Sequence, residues 1–272
     1  MTNSEKTVFI SGASSGIGME CALRIAEAGF RVLAGVRNEK AAEKLKNQAT
    51  GNLKTVFLDI TDKDSISSLK RIVCSENLYG VINNAGIAVL GPFEYIPLKE
   101  IRRQFEVNLF GHIAITQALL PHLRRTGQGR IINISSISSQ IAFPCYGPYA
   151  ASKFALEAFN DSLRRELRPW KIQVVSIRPG NVSTPIWYKS FSRSQSISNA
   201  FPSEAAGYYK NIYSNSNGGK KGISQPYTVA KTILKALTAK IPKAHYLVGM
   251  DARKYALFKW LLPDWLIDKA IS

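Results

Sequence analysis

Cysteine is scarce in this sequence, and its thiols stand far apart. The 272 residues include three cysteines, Cys21, Cys74 and Cys145, with no CxxC pair among them. An odd number at such spacing is atypical of a disulfide framework and of a zinc site, so we expect neither a structural disulfide nor a bound metal. A reducing compartment fits this composition, and we expect a cytoplasmic protein.

Long apolar runs are also missing. The most apolar late segment, residues 255–267, contains Lys259, Pro263 and Asp264 and is shorter than the ~20 residues needed to span a bilayer. The first residues, MTNSEK, run directly into the strand-like VFIS, so we expect no signal peptide. We call residues 255–267 the aromatic tail, and we expect it to cover a pocket, join a subunit interface or touch a membrane surface. Its apolar side chains include Phe258, Trp260, Leu261, Leu262, Trp265 and Ile267.

Acidic side chains are few. The chain has 19 Asp and Glu against 36 Lys and Arg, which gives a formal net charge of +17. Such an excess attracts nucleic acid, anionic lipid or phosphorylated ligands. The basic residues are scattered and no nucleic-acid-binding signature accompanies them, so we expect no nucleic-acid partner. We interpret the excess as a solvated basic surface, with contact to a membrane surface or another polyanion as the alternative.

The sequence does contain a regular alternation of short apolar runs and longer segments with helical spacing. This pattern predicts an α/β fold, a doubly wound sheet of seven parallel strands with helices on both faces. Such sheets bind ligands at the carboxyl ends of their strands. The expected strands are residues 7–11, 31–36, 55–59, 80–83, 130–135, 172–177 and 245–249. The expected helices are residues 17–28, 39–48, 62–74, 98–125, 149–168 and 226–240.

One region, residues 184–225, interrupts this alternation. It is rich in serine, asparagine and glycine and carries scattered aromatic side chains, as functional lids and disordered loops do. We expect a single domain over residues 1–272 with three parts. They are a core over 5–185, a helical substrate lid over 186–225, and a C-terminal helix, strand and aromatic tail over 226–272.

The turn after the first expected strand is rich in glycine. The stretch SGASSGIG places Gly12, Gly16 and Gly18 between that strand and the next helix. Glycines there let a backbone approach a pyrophosphate closely, and the helix amino terminus supplies free N–H groups. The turn predicts a dinucleotide site, although glycines also occur at such turns for purely steric reasons.

The end of the second expected strand predicts which dinucleotide binds. An acidic residue there would hydrogen-bond the adenine ribose hydroxyls, but the sequence has Val36 followed by Arg37. Because a guanidinium binds a 2′-phosphate through charge-assisted hydrogen bonds, we expect NADP(H) rather than NAD(H). The alternative is that Arg37 merely begins a solvated loop.

Two further stretches suit the same ligand. Asp59, after the third expected strand, is placed to accept a hydrogen bond from the adenine amino group, whereas Asp62 is expected to cap a helix. The NNAG stretch, residues 83–86, closes the fourth strand with amides that either brace the sheet or line the cofactor groove.

The stretch YGPYAASK pairs a tyrosine with a lysine. Pro148 favours a helix start, which puts Tyr149 in the first turn and leaves Tyr146 before the helix. Lys153 then lies one turn later on the same face as Tyr149, an arrangement that is common in simple packing pairs. As a catalytic pair, the ammonium would lower the phenol pKa so that the phenol exchanges a proton with a carbonyl or an alcohol.

Two other polar residues suit the same chemistry. Ser136 follows the fifth expected strand, where a second hydrogen-bond donor would stabilise charge on a carbonyl oxygen. Its alternative role, shared by Ser135, Ser138 and Ser139, is to satisfy loop backbone groups. Asn108 interrupts an apolar stripe, and it is expected to bond a carbonyl and hold a water or to stabilise a kink.

Taken together, these motifs resemble the short-chain dehydrogenase/reductase family over approximately residues 5–185. The resemblance rests on SGASSGIG, NNAG, the asparagine of FEVNLFG, the serine of RIINISS, YAASK and RPGNVST, in that order. Ser11 departs mildly from the family's usual threonine and keeps the hydroxyl. The VLAGVRN strand end and the basic, aromatic tail are similar to the hydroxysteroid and retinol dehydrogenase-like branch.

The resemblance implies a Rossmann-type fold and a catalytic tetrad of Asn108, Ser136, Tyr149 and Lys153. Ser136 would polarise the substrate carbonyl, Tyr149 would be acid or base, and Lys153 would also bind the nicotinamide ribose. Asn108 would hold a water in a proton relay. The residues expected to bind the cofactor are Gly12, Ser14, Ser15, Gly16, Ile17, Gly18, Arg37, Asp59, Ile60, Asn84, Ala85, Gly86, Tyr149, Lys153, Pro179, Gly180, Val182 and Thr184.

The resulting hypothesis is an NADP(H)-dependent oxidoreductase that interconverts a carbonyl and an alcohol on a lipophilic small molecule. The alternatives are a catalytically silent sensor or scaffold, and an epimerase or dehydratase of the same superfamily. The family also implies a homodimer or homotetramer. The lipophilic substrate is suggested by aromatic residues that could equally pack two lid helices: Trp187, Tyr188, Phe191, Phe201, Tyr208, Tyr209 and Tyr213.

Overall fold

Seven parallel strands form one sheet in the order β3-β2-β1-β4-β5-β6-β7. The structure is a computed structural model that describes residues 3–190, 202, 209 and 224–271. This sheet confirms the predicted doubly wound α/β fold. The strands are β1 (Thr7–Ile10), β2 (Arg31–Val36), β3 (Leu53–Phe57), β4 (Leu78–Asn83), β5 (Arg130–Ile134), β6 (Gln173–Pro179) and β7 (His245–Val248).

Helices connect the strands and cover both faces of the sheet. They are α1 (Gly16–Glu27), α2 (Glu39–Gln48), α3 (Lys63–Val73), α4 (Leu98–Phe105), α5 (Gly111–Thr126), α6 (Gly147–Glu166), α7 (Pro226–Thr238), α8 (Met250–Leu261) and α9 (Asp264–Ile271). Short 3₁₀ turns lie at Asn3–Glu5, Phe93–Tyr95, Ile137–Ser139 and Arg168–Trp170. No helix among the described residues is long and apolar enough to cross a membrane.

The two hydrophobic cores follow from the alternation of side chains along each strand. On β1, Val8 and Ile10 point into a core that includes Ile25 of α1 and Ile233 of α7. Phe9, between them, points to the opposite face and joins a second core. That second core includes Leu69 of α3, Ile115 and Leu119 of α5, and Leu163 of α6. Every residue of β1, β4 and β5 is buried, as expected for central parallel strands covered on both sides.

The strand order reverses direction between β1 and β4. From β1 the chain steps outward to β2 and β3 on one side, and then returns to β4 on the other side. A reversal of this kind opens a crevice at the carboxyl ends of the two strands. The glycine-rich turn after Ile10 and the segment after Asn83 therefore face the same opening.

The prediction of one continuous α-helix over residues 98–125 is wrong. A π-helical turn, Glu106–Phe110, separates α4 from α5, and Asn108 lies inside it. Helix α6 begins at Gly147, one residue before the expected start at Pro148, so Tyr146 is the N-cap residue. Tyr149 still falls in the first turn, as predicted.

The predicted lid lies mostly outside the described residues. This applies to the predicted lid residues Phe191, Phe201, Tyr208 and Tyr213, whereas Trp187, Tyr188 and Tyr209 are described. Residues 185–190 are helical. The aromatic tail covers the second half of α8 and the first half of α9, and Pro263 lies at the junction between these two helices.

Candidate active site

A cavity of about 640 Å³ lies at the carboxyl ends of the central strands. It is lined by the glycine-rich turn, the ends of β2, β3, β4 and β5, the start of α6 and the segment after β6. All the predicted cofactor residues except Gly18 line it, and so do Ser136, Tyr149 and Lys153. Gly18 and Asn108 lie behind its wall, where each supports a segment that lines it.

The glycine-rich turn is held against the end of β4 by hydrogen bonds. The Asn84 side-chain amide donates to the carbonyls of Ser11 and Gly12, each at 3.0 Å. The Ser11 hydroxyl accepts from the backbone N–H groups of Asn84 and Ala85, at 3.0 and 3.1 Å. Gly12 has φ of +67°, and a Cβ there would lie 2.7 Å from the Ala85 Cα. The turn is therefore built for close approach of two backbones, which glycine alone allows without strain.

The amino terminus of α1 points into this cavity. Ser15 is the N-cap residue, and its side chain makes no capping hydrogen bond within the described part of the chain. The first amides of α1 consequently keep their hydrogen-bonding capacity, and the helix dipole adds positive potential there. Ser14, Ser15, Gly16 and Ile17 line the cavity at this point. The geometry suits a phosphate group.

Two arginines lie at the far end of the cavity, where β2 and β3 end. Arg37 and Arg103 both line the cavity and both lower the pKa of Asp59 through their charge. The larger causes of that lowered pKa are the hydrogen bonds from the backbone N–H and the hydroxyl of Thr61, at 2.9 and 2.7 Å. Arg103 was missed by sequence reasoning, because a charge on an amphipathic helix is ordinarily interpreted as part of its solvated face.

Tyr149 and Ser136 meet in the middle of the cavity. Tyr149 is buried, and this burial raises the pKa of its phenol to about 12, although a hydrogen bond with Ser136 acts in the opposite direction. Ser136 also caps the Ile137–Ser139 turn by accepting a hydrogen bond from the Ser138 N–H at 3.0 Å. Ser136 thus satisfies a loop backbone group, which is its expected alternative role, and this bond fixes its hydroxyl beside the phenol.

Lys153 is buried one helical turn beyond Tyr149. Its ammonium donates to the Ile134 carbonyl at 2.9 Å and lies 6.0 Å from the centroid of the Tyr149 ring. Burial lowers the pKa of Lys153 to about 8. The predicted lowering of the Tyr149 pKa by this ammonium is not found in this structure, because burial of the phenol dominates and Lys153 is not among the causes of its shift.

Asn108 is fully buried and binds the strand-end segment opposite. Its side-chain oxygen accepts from the Ile87 N–H at 2.9 Å, and its side-chain nitrogen donates to the Ile87 carbonyl at 2.9 Å. The same nitrogen donates to the Ser152 hydroxyl at 3.1 Å. The expected bond to a carbonyl is therefore present, and the π-helical turn agrees with the expected irregularity of the helix, whereas the water held by Asn108 stays a prediction.

His112 is a second buried polar residue near Lys153, and sequence reasoning missed it. Its Nε2 lies 2.7 Å from the Ala85 carbonyl, which it supports from behind the cavity wall. Burial and then the charge of Lys153 lower the pKa of His112 to about 3, so the ring is neutral at physiological pH. Its position four residues after Asn108 was the available signal, because i and i+4 share one helix face.

Aromatic and aliphatic side chains form the remaining wall. The Trp187 ring lies 6.1 Å from the rings of both Tyr149 and Tyr146, measured between centroids. Trp187 lines the cavity together with Ala88 and Ile186. Tyr146 does not line the cavity and packs against Trp187.

The aromatic tail does not cover the cavity, since none of its described residues lines it. Its inner face packs on the segment that follows Ser136. Ile267 shares a small core with Ile137 and Ile141, and Tyr255 meets Phe143 edge-on with ring centroids 5.0 Å apart. The tail therefore supports the loop between Ser136 and α6.

Comparison with known proteins agrees with this geometry. The family model described as short chain dehydrogenase matches residues 6–195. The uncharacterized oxidoreductase YusZ of Bacillus subtilis is 38% identical over 95% of this chain and 94% of its own length. The 17-beta-hydroxysteroid dehydrogenase type 6 of Bos taurus is 36% identical over 98% of this chain and 88% of its own. The NADPH-dependent 3-dehydrocapnine reductase of Ornithobacterium rhinotracheale is 32% identical over 96% and 94%.

A solved structure has the same fold. The crystal structure of a short-chain dehydrogenase from Streptomyces avermitilis matches with a TM-score of 0.81 and 27% identity, over 97% of this chain and 94% of that one. The chain belongs to the short-chain dehydrogenase/reductase family and is an oxidoreductase of that family. Relatives named as a 17-beta-hydroxysteroid dehydrogenase and as a retinol dehydrogenase confirm the resemblance to the hydroxysteroid and retinol branch.

Proposed function

We propose that the protein is an NADP(H)-dependent oxidoreductase that interconverts a carbonyl and an alcohol on a lipophilic small molecule, with Tyr149 as the acid or base. The observation that carries this proposal is the single cavity wall shared by Tyr149, Ser136 and Lys153. The complete set of three polar groups favours catalysis over a silent sensor, because binding alone does not need a proton donor there.

The cavity fits a dinucleotide. The close backbone approach at Gly12 and the uncapped start of α1 suit the pyrophosphate. Arg37, with Arg103 nearby, supplies positive charge for a 2′-phosphate, and the name of the O. rhinotracheale relative also specifies NADPH. Asp59 is less suited to contact adenine than expected, because Thr61 already donates two hydrogen bonds to one of its oxygens.

The nicotinamide end would lie against the segment after β6. Pro179, Gly180, Val182 and Thr184 line this end of the cavity. The segment is fixed by the Gly180 N–H, which donates to the Val248 carbonyl at 2.8 Å, and by the Ser183 N–H, which donates to the Ser224 carbonyl at 2.9 Å. A bound nicotinamide ring supplies hydride to a carbonyl carbon or accepts it from an alcohol carbon.

The chain's own residues handle the proton and the charge on oxygen. In reduction, the Tyr149 phenol donates its proton to the carbonyl oxygen while the Ser136 hydroxyl donates a hydrogen bond to the same oxygen. A phenol pKa near 12 keeps the phenol protonated, which is the form needed for reduction. Because its pKa is about 8, Lys153 loses its proton before the free phenol titrates near pH 12, but near neutral pH it is still mostly charged. Its ammonium, 6.0 Å from the centroid of the phenol ring, then stabilises the phenolate left after transfer.

The substrate end of the cavity favours apolar compounds. Ala88, Ile186 and Trp187 line it, and the indole beside Tyr149 offers a flat surface for a ring system. The name of the bovine relative specifies a steroid alcohol, which is a compound of this kind.

We also propose that two copies associate through the outer faces of α5 and α6. The outer face of α6 presents Ala151, Phe154 and Ala158, and Phe110 is exposed nearby at the start of α5. Phe110 and Phe154 are 50% and 44% exposed, so both offer apolar surface to a second copy. Solution mass tests this directly: wild type should be at least dimeric and Phe154→Glu smaller, whereas a monomeric wild type contradicts the proposal.

The outer face of the aromatic tail is proposed to touch an anionic membrane surface. Trp260 and Trp265 are 80% and 66% exposed, and Lys254 lies on the same two-helix segment. Sedimentation with anionic phospholipid vesicles should recover the wild type but not a Trp260→Glu/Trp265→Glu variant. Recovery of both proteins, or of neither, contradicts this contact.

A carbonyl panel tests the enzymatic proposal. NADPH absorbance is followed with flat apolar ketones, small polar ketones, aldehydes and quinones, and oxidation of NADPH by the flat apolar group is expected. Absence of oxidation across the panel would favour the sensor alternative. Stabilisation of the protein against heat by a sugar nucleotide would instead favour the epimerase or dehydratase.

A further inference from the structure

Glu157 lies on α6 one helical turn after Lys153, and its side chain is 11% exposed. Arg178 on β6 donates to its carboxylate from Nη2 at 2.7 Å and from Nε at 3.0 Å. The Ser176 hydroxyl donates to it at 2.5 Å, and the Ser139 hydroxyl lies at 3.4 Å. A carboxylate held by a two-point guanidinium contact and by hydroxyls has little freedom to move.

The charged and titratable groups around Glu157 come from three elements. From α6 itself, Lys153 lies one turn before it and Asp161 one turn after it. From β6, Arg178 forms the ion pair. From β7, His245 lies 3.5 Å from Glu157 and 3.6 Å from Asp161.

These contacts hold Glu157 in its charged form. Hydrogen bonds from His245, Arg178 and Ser176 bring the pKa of Glu157 well below its usual range, although burial alone would raise it. A fixed negative charge therefore lies within the protein, one turn from the cavity.

A negative charge at this position favours the charged form of Lys153. Burial of its ammonium lowers the pKa to about 8, and the charge of Glu157 is the cause that opposes this shift. On the α5 side, His112 faces Lys153 and is neutral, because its own pKa is lowered to about 3. The Ile134 carbonyl accepts a hydrogen bond from the ammonium but carries no net charge.

We propose that Glu157 is a positioning residue that keeps Lys153 in its charged form at the cavity wall. This inference rests on the proposed function, in which the ammonium must be charged to stabilise the Tyr149 phenolate. Arg178 takes part because it fixes the carboxylate to β6, just before the Pro179 and Gly180 segment that lines the cavity. One ion pair thus connects the helix that carries Tyr149 with the strand that leads to the nicotinamide end.

The test is the pH dependence of turnover in Glu157→Gln, an uncharged side chain of nearly the same shape. Because loss of the carboxylate lowers the pKa of Lys153, the alkaline fall in kcat should move down by about one pH unit or more. For a one-unit shift from a pKa of about 8, the variant should be about fivefold slower than wild type near pH 8, and near pH 6 the two should be similar. Glu157→Asp, which keeps the charge, should recover most of the wild-type profile.

Asp161→Asn is the matched control. It removes the same charge from the same helix and from the same contact with His245, but one turn farther from Lys153. Its pH profile should stay within about 0.3 units of wild type, because the interaction weakens with distance and exposure. Thermal melting of each variant shows whether it remains folded at the pH of the assay.

A direct titration separates this inference from the proposed function. Nuclear magnetic resonance of ¹⁵N-lysine protein, with the signal identified by its loss in Lys153→Met, gives the pKa of Lys153 without any turnover. A lower value in Glu157→Gln than in Asp161→Asn supports the inference even if no substrate is reduced. An equal Lys153 pKa in both variants, or a loss of kcat by one factor at every pH, overturns it and leaves the role of Tyr149 untouched.

Discussion

The Asn84 side-chain amide donates a hydrogen bond to the Gly12 carbonyl at 3.0 Å, which ties the end of β4 to the glycine-rich turn after β1. Gly18 packs on this same contact, since a Cβ there would overlap both the amide and the carbonyl oxygen. The requirement for glycine in this turn is thus partly steric and internal to the protein. It lets the backbone fold tightly enough to leave the amino terminus of α1 open to the cavity.

Gly18→Ala should therefore destabilise the protein and weaken cofactor binding together. The added methyl must push Asn84 or the Gly12 backbone aside, at a cost of about 1–3 kcal/mol in the free energy of unfolding. Urea unfolding measures the stability, and quenching of protein fluorescence by NADPH measures the affinity. Gly147→Ala is the control, because a Cβ at Gly147 meets no described atom within 4 Å. Equal behaviour of the two variants would argue against this account of the turn.

The strands and the glycine-rich turn were predictable because their physical signals are local. Buried parallel strands are continuously apolar, and the predicted strand ends agree with β2 and lie within about two residues for the others. The π-helical turn was not predictable in the same way. Asn108 lies in this turn, and its side-chain amide binds Ile87, a partner 21 residues earlier that only the folded chain brings into reach.

Arg37→Asp should reverse the cofactor preference. Replacing a guanidinium by a carboxylate removes a charge-assisted bond to a 2′-phosphate and adds repulsion, so NADPH affinity should fall about tenfold to a hundredfold. NADH affinity should change little, as fluorescence titration with each cofactor would show.

Lys40→Asp is the control for that change, because it makes the same change of charge at an exposed position nearby that does not line the cavity. If both variants lower NADPH affinity equally, Arg37 acts only through the net charge of the protein and not through a contact with the 2′-phosphate. If Arg37→Asp leaves the ratio of the two affinities unchanged, the predicted NADP(H) preference does not depend on it.

His112 should make the protein lose stability on mild acidification. Its pKa is about 3 in the folded protein and near 6.5 when exposed, so below pH 6.5 the unfolded chain binds a proton that the folded protein does not. Stability present above pH 6.5 is consequently lost as the pH falls towards 3, at up to about 1.4 kcal/mol per unit. Urea unfolding near pH 7 and near pH 5 measures this slope.

His112→Gln keeps an amide donor for the Ala85 carbonyl but has no proton to gain. Between about pH 7 and pH 5 the free energy of unfolding should fall in both proteins. The fall should be about 2 kcal/mol smaller in His112→Gln than in wild type. His122, whose pKa is also lowered by burial and by Arg125, remains in both proteins and cancels. An identical slope in the two proteins would show that His112 is accessible to solvent when folded.

The sequence motifs predict that Tyr149, Ser136 and Lys153 lie close together, and in the structure they line one cavity. The direction of their pKa shifts could not be predicted from the motifs. An i, i+4 spacing places two side chains on one helix face without saying how deeply they are buried. Depth decides the result here, because desolvation of the phenol raises its pKa and desolvation of the ammonium lowers its own. Glu157 was missed for a related reason, since its partners on β6 and β7 are distant in the sequence.

The rate of NADPH oxidation by Tyr149→Phe tests the central proposal most directly. With a ketone that the wild type reduces, loss of the phenol proton should lower kcat at least about a hundredfold, while NADPH affinity should stay within about twofold. Tyr146→Phe, changed in the same way just before α6, should keep near wild-type turnover. Undiminished kcat in Tyr149→Phe would contradict the account, because the proton would then come from another group.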